Sequence, residues 1–234
     1  MSFNTDSFSQ TPAALLSQDR RADFIMRTYT YLLGAILGFT AIEIYLFTSG
    51  LAEPIARTLL GGSWLLVLGA FMIIGWLASW TAARAESSMA QLAALAAYVV
   101  AEAIIFVPML YIADSTAPGV IQSAASLTIA GFIGLTAIAW WTRKDFSFLN
   151  GVLMWGGIAA LLLIAGSLLF GFHLGTWFSV AMIALAGGAI LRDTDNVLHN
   201  YPEDRHVAAA LSLFASVALL FWYVLRLLMA LQRD

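Results

Sequence analysis

The chain has 234 residues, 61% apolar and 11% charged, with a mean hydropathy of +0.86 and a formal net charge of −3. Soluble domains carry about a quarter charged residues, so this composition belongs to an integral membrane protein and not to a large soluble core. The small net charge gives no electrostatic case for a nucleic-acid partner, and the lack of cysteine excludes a disulfide framework, thiolate chemistry and cysteine-based zinc sites.

Residues 1–23 are rich in Ser, Gln, Thr and Asp and read as a disordered cytoplasmic tail. No apolar stretch precedes a small-residue cleavage site there, and no lipidation signal is present. Residues 24–234 read as one transmembrane domain. A bilayer core of about 30 Å needs about 20 apolar residues per helix. Seven runs meet that need: Ile25–Ser49, Thr58–Ala83, Ser88–Ala113, Pro118–Trp141, Phe148–Phe172, Gly175–Val197 and Val207–Ala230. Short connections such as "SGLAEP", "DSTAPG" and "NYPEDR" carry turn residues between them. The predicted fold is therefore an all-α integral membrane bundle of seven transmembrane helices, expected to be a monomer in the lipid bilayer. Gly34 and Gly38, and Ala93, Ala97 and Ala101, are small-residue rows suited to packing within the chain. Trp64, Trp80, Trp140, Trp141 and Trp177 fall near span ends, as interfacial anchors do.

With the N-terminus inside and seven crossings, Arg20, Arg21, Arg27, Arg84, Arg143, Lys144, Arg192 and Arg205 are cytoplasmic, while Arg57, Arg226 and Arg233 are outside. That asymmetry satisfies the positive-inside rule, and the expected location is a cell (inner) membrane. A last segment that dipped in and returned would bring Arg226 and Arg233 inside as well. Against this, the uncharged run Val207–Leu225 is long enough to span, with Arg226 snorkelling to the interface.

Four acids fall within or at the rim of the spans, where each needs a partner, water or a proton. Glu102 is deepest, about 21 Å from the start of its run at 1.5 Å per residue. It is either a functional acid or a protonated structural group bonded to a neighbouring helix, and intramembrane acids favour the functional reading. Pro108, six residues later, is expected to loosen the backbone. Glu43 is expected to snorkel outward. Asp193 lies about 6 Å from the inner end of the sixth run, on a mostly apolar face that packs inwards. By helical rise, Glu102 should lie about 15 Å further out than Asp193. Asp195 shares its face with Arg192 and His199 and reads as part of a solvated rim network. Arg84, at a depth comparable to Asp193, is expected to latch it as an ion pair.

Other chemistries lack their residues. The sole lysine, Lys144, lies in a loop, so no retinal Schiff base fits. No HExxH occurs, His173, His199 and His206 lie in or beside loops, and no nucleophile–base constellation is evident, so the chain is not expected to be an enzyme or to hold a cofactor.

Three blocks carry a family resemblance: "TRKDFSFL" (142–149), "ILRDTDNVLHN" (190–200) and "AAALSLFASVALLFWYVLRLL" (208–228). Together they resemble the Bax inhibitor-1, or transmembrane Bax inhibitor motif, family. The resemblance implies a seven-helix fold with a central last helix. It also implies a pH-sensitive calcium leak, in which an aspartate on helix six pairs with one on helix seven. Matched residue by residue, the first aspartate is Asp193, preceded by Arg192 where an aromatic is usual. The second falls at Ser216, so the shared-proton carboxylate pair is missing.

On this reading Asp193 is an inner gate, Glu102 a deeper station, and Ser216 and Asp195 further members of an ion pathway. Asp193 and Glu102 are the oxygen ligands for calcium as the transported ion. The alternative implied by the resemblance is a non-conducting regulator that binds a membrane quality-control protease or another membrane protein, or a stress-survival factor.

Overall fold

The computed structural model describes residues 12–85, 87–142 and 145–232, apart from the Trp64 side chain. Eight α-helices follow in order: α1 Gln18–Thr48, α2 Ala52–Gly61, α3 Trp64–Arg84, α4 Ser88–Thr116, α5 Val120–Thr142, α6 Leu149–Phe170, α7 Thr176–His199 and α8 His206–Leu231. Single 3₁₀ turns occupy Ala13–Leu15 and Glu203–Arg205. Uninterrupted apolar runs favour helix here because a helix satisfies its own backbone groups where water is absent. The turn chemistry then stops it. Gly50 and Gly171, with φ of 76° and 73°, end α1 and α6 in the left-handed region that a side chain resists.

The helix count differs from the expected seven. The run Thr58–Ala83 is split at Gly61–Gly62–Ser63, which separates the 10-residue α2 from α3. Among the described residues, six helices are long and apolar enough to cross a membrane: α1, α3, α4, α5, α6 and α8. The 24-residue α7 has the length but falls short in apolarity, because Arg192, Asp193, Asp195 and His199 occupy its last two turns. The polar tail is shorter than expected too. Ala13 is fully buried, its N–H donates to the Tyr201 carbonyl at 2.9 Å, and α1 begins at Gln18. Residues 1–11 lie outside the described residues.

One end of the bundle gathers the start of α1, the α3–α4 turn and the α7–α8 connection. Arg20 pairs with Glu203 at 3.3 Å, Arg205 donates to the Ala85 carbonyl at 2.7 Å, and Gln91 donates to the Asp204 carbonyl at 3.4 Å. At the opposite end Arg226 donates to the Leu174 carbonyl in the α6–α7 connection at 2.8 Å. Helix α8 is thus one continuous helix from end to end, about 39 Å by helical rise, with no re-entrant return.

Helix α8 is also the centre. It packs against α1, α3, α4, α5 and α7, most extensively against α7. Its Phe221 and Trp222 meet Phe106 of α4, stacked at 5.6 Å and edge-on at 4.9 Å, and Phe106 also receives Phe39 of α1 edge-on at 5.2 Å. Fully buried Val207, Leu213 and Leu225 complete this core. Outside it, α3, α5 and α6 present exposed Leu, Ile, Met and Trp residues, a surface suited to lipid chains. Trp80, Trp140, Trp141 and Trp177 are exposed near helix ends. Gly38 faces Val99 of α4, with a Cβ-to-methyl approach of 3.8 Å, whereas Ala93 and Ala97 point outwards.

Candidate functional site

Asp193 sits six residues before the end of α7, facing α8. Ser212 and Ser216 stand one turn apart on α8 and so share a face. Ser212 donates to one carboxylate oxygen of Asp193 at 2.9 Å, and Ser216 donates to the other at 2.6 Å. Asp193 is partly buried. Beside this cluster lies Tyr201, in the α7–α8 connection. Burial, and next the Asp193 carboxylate, push its phenol above the usual 10.0, while nearby Ser212 and Arg192 pull it back. Position 216, where family matching expects a second acid, therefore holds a hydroxyl that bonds the first. Sequence reasoning missed Ser212, although it lies one turn before Ser216 on an otherwise apolar helix.

Asp195 requires a correction. Its partners are those expected: His199 Nδ1 at 2.9 Å from one carboxylate oxygen and Arg192 at 3.3 Å from the other. The group is not solvated, however; it is 4% exposed. The α5–α6 connection folds over it, burying Phe146 and donating the Phe146 N–H to its carboxylate at 3.3 Å. Arg192 also donates to Asn150 at 2.6 Å and reaches Asn196, tying α7 to the start of α6. Helical periodicity places Arg192 and His199 but cannot show which loop covers them.

The expected Arg84 latch is absent. Arg84 is exposed, with its guanidinium 5.2 Å over the Trp80 ring, and among the described residues no ion pair joins it to Asp193. The depths differ as well: the Ala85 carbonyl beside Arg84 meets Arg205 at the start of α8, whereas Asp193 meets Ser212 and Ser216 two to three turns further along it, and α3 packs mainly on α4.

Glu102 is buried, and the Tyr98 hydroxyl one turn earlier donates to it at 2.8 Å. The Tyr98 ring lies edge-on to Phe214 at 6.1 Å. Because Phe214 falls between Ser212 and Ser216, Tyr98 is level with the Asp193 cluster. Glu102 is then about 6 Å beyond that level, one helical turn, rather than 15 Å. The helices are not flush, since Gln91 of α4 already meets the Asp204 carbonyl before α8 begins. Gly75 of α3 makes room for the Tyr98 ring, where an added Cβ would stand 3.3 Å away. Helix α4 runs on through Pro108 to Thr116 without a break.

Glu43 does not snorkel. It is 8% exposed, and neither carboxylate oxygen has a hydrogen-bond partner. It lies one turn from Phe39 and one turn from Phe47, both packed against the core.

Among the described residues no group of three or more His, Asp or Glu side chains comes together to hold a metal. Asp193 with two hydroxyls supplies fewer than the six to eight oxygens that calcium takes.

A family profile described as "Inhibitor of apoptosis-promoting Bax1" matches residues 21–233. The chain belongs to this family. It is 33% identical over 118 residues to "Modulator of FtsH protease YccA" of Escherichia coli K12, covering 49% of this chain and 52% of that protein. It is 32% identical over 120 residues to "Bax inhibitor 1" of Schizosaccharomyces pombe, covering 49% and 44%. "Protein LIFEGUARD 4" of Arabidopsis thaliana is 33% identical over 124 residues, covering 50% and 49%. The chain thus spans about half the length of the curated relatives it matches. As a member of the Bax inhibitor-1 family it is a multi-pass membrane protein, resembling proteins named as modulators or inhibitors.

Proposed function

We propose that this protein is a gated cation leak of the Bax inhibitor-1 family, with Asp193 as the gate and calcium or protons as cargo. In this reading α7 completes a seven-span bundle with the N-terminus cytoplasmic, in a cell inner membrane. The observation that carries the reading is the double hydrogen bond from α8 to Asp193. An ionised carboxylate accepts both serine hydroxyls and holds α7 against the central helix. A carboxyl group that gains a proton turns one oxygen into a donor, so one serine reverses from donor to acceptor and the contact loses its charge-assisted strength. Here a single acid does the switching, where the family resemblance implies two. Glu102 and its Tyr98 partner stand one turn further along as the next oxygen-lined station.

The test is calcium flux into proteoliposomes at pH 6, 7 and 8, comparing wild type with Asp193→Asn and Glu102→Gln. A flux whose size or pH profile changes in either variant supports the conduit. Calcium flux no greater than that of empty liposomes at every pH would sink the calcium leak.

A second reading is favoured by the relative named as a modulator of the FtsH protease. On it, the chain binds a membrane protease without conducting, and Asp193 only fastens α7. Co-purification with a membrane protease, unaffected by Asp193→Asn and accompanied by no flux, would select this reading.

A further inference from the structure

Glu43 stands apart from the other intramembrane acids. Asp193 receives two serine hydroxyls, Asp195 an arginine and a histidine, and Glu102 the Tyr98 hydroxyl. Both oxygens of Glu43 are buried and, among the described residues, meet no hydrogen-bond donor. The helix register shows where they lie. Gly38 of α1 faces Val99 of α4, and Leu46 shares a buried cluster with Val107 in the same register. Glu43 is therefore level with Ile104, about 3 Å beyond Glu102 by helical rise. It shares its face of α1 with Phe39 and Phe47, one turn to either side, and both pack into the core. Phe39 lies edge-on to Phe106 of α4 at 5.2 Å and to Phe214 of α8 at 6.2 Å. The carboxyl group thus points into the seam between α1, α4 and α8.

The helices packed on α1 are α2, α4, α7 and α8, and their cations are already bound. Arg57 of α2 pairs with Glu53, Arg192 of α7 holds Asn150 and Asp195, and Arg226 of α8 holds the Leu174 carbonyl. From α4 the titratable groups on this side are Glu102, bonded to Tyr98, and Tyr111, packed in the Leu46–Val107 cluster. On α8, Tyr223 meets Phe178 of α7, and His206 stacks on Tyr31 near the other end of the seam. An unpaired carboxylate in such surroundings costs several kcal/mol, and the group avoids that cost by keeping a proton.

The surroundings also choose between a proton and a metal. Calcium takes six to eight oxygens, whereas Glu43 offers two among apolar side chains. The hydroxyl one turn before it, Thr40, is exposed and donates to the Ile36 carbonyl. A proton needs one oxygen, and the resulting O–H needs one acceptor. Pro108 supplies an acceptor at this level: lacking an N–H, it leaves the Ile104 carbonyl of α4 without its helical donor. An open carbonyl suits an O–H and repels a carboxylate. We propose that Glu43 is a proton-binding site, a neutral carboxylic acid in the α1–α4–α8 seam whose ligand is one proton and not a metal cation. The proton lets α1 close on α4 without an uncompensated charge. Counted from Asp193 along the central helix, Glu43 is the third acid, after Glu102. The site stands whether or not the chain conducts.

Infrared spectroscopy of the full chain in lipid vesicles at pH 7 tests it, because a carboxylic acid and a carboxylate absorb in separate regions. Glu43→Gln should remove an acid carbonyl band that survives in Glu102→Gln, and should leave carboxylate absorbance unchanged. A double variant, Glu102→Gln with Asp193→Asn, keeps Glu43 intact and should retain the same band. Calcium in excess should not diminish it. Loss of carboxylate in place of acid absorbance in Glu43→Gln would overturn the proposal, since Glu43 would then be ionised. Absence of any acid band from the double variant would overturn it without a change at Glu43, which covers the case in which Glu43→Gln fails to fold. Disappearance of the band on adding calcium would overturn the proton as sole ligand and indicate exchange for a metal cation. Thermal unfolding of each variant separates a lost proton from a lost fold.

Discussion

Ser216 donates to Asp193 at 2.6 Å across the α7–α8 interface, at the position where family matching expects an acid. A hydrogen bond to a charged group contributes about 1.5–3 kcal/mol net, and Ser212 still holds the other oxygen in a Ser216→Ala variant. Ser216→Ala should therefore cost about 1–2 kcal/mol, and the double variant with Ser212→Ala distinctly more, because the carboxylate then keeps neither donor. Thermal unfolding in detergent measures both. A double variant as stable as wild type would mean that the serines do not hold Asp193.

Tyr98 links Glu102 to the central helix. Tyr98→Phe keeps the ring contacts with Phe71 and Phe214 but removes the donor to a buried carboxyl group. The expected cost is about 1–3 kcal/mol in thermal unfolding. Glu102→Gln keeps an acceptor for the Tyr98 hydroxyl and should cost less than Tyr98→Phe. The reverse order would show that Glu102 needs its own proton or charge for stability, not the hydroxyl.

The phenol of Tyr201, raised above 10.0 by burial and by Asp193, gives a pH signature. Its folded form ionises later than the unfolded chain, so its contribution to stability is complete below about pH 10 and is lost as pH rises through the folded value. Tyr201→Phe has no such loss. Unfolding midpoints measured from pH 8 to 11 should fall less steeply in the variant than in wild type. Parallel curves would remove Tyr201 from the alkaline response.

The long helices and the inward face that carries Asp193 were legible because apolar run length and charge-free stretches are local properties of the chain. The break at Gly61–Gly62–Ser63 carries turn chemistry that run length alone passes over. What could not be read locally were the pairings. Arg84 and Asp193 are not neighbours, because counting from span ends fixes neither the relative depth of two helices nor which helix lies next to which. Asp195 looked solvated because its covering loop, Ser147 and Phe146 with Asp145, comes from almost fifty residues earlier. Glu43 looked like a snorkelling acid because it is near a helix end, but α1 turns that face towards the core. For Asp195 the rotation on its helix was legible and the covering element was not; for Glu43 the rotation itself is what position near a helix end does not show.

Asp195 is expected to matter for stability more than any other acid here. Its carboxylate meets Arg192, His199 and the Phe146 N–H at once, and it is almost fully buried. Removing one partner of a buried charge pair typically costs about 3–5 kcal/mol, since the other charge stays behind. Arg192 keeps Asn150 and Asn196 as acceptors, which offsets part of that loss. Asp195→Ala should thus cost about 3 kcal/mol in thermal unfolding, at the lower end of that range. The loss should also be local: the α5–α6 connection is fastened at Phe146, so hydrogen exchange at residues 146–150 should accelerate before the helices respond. Asp193→Asn should leave exchange in that loop unchanged, because its partners are on α8. Equal acceleration in both variants would mean that the two aspartates act as one network, and Asp195 would then belong to the gate rather than to the loop.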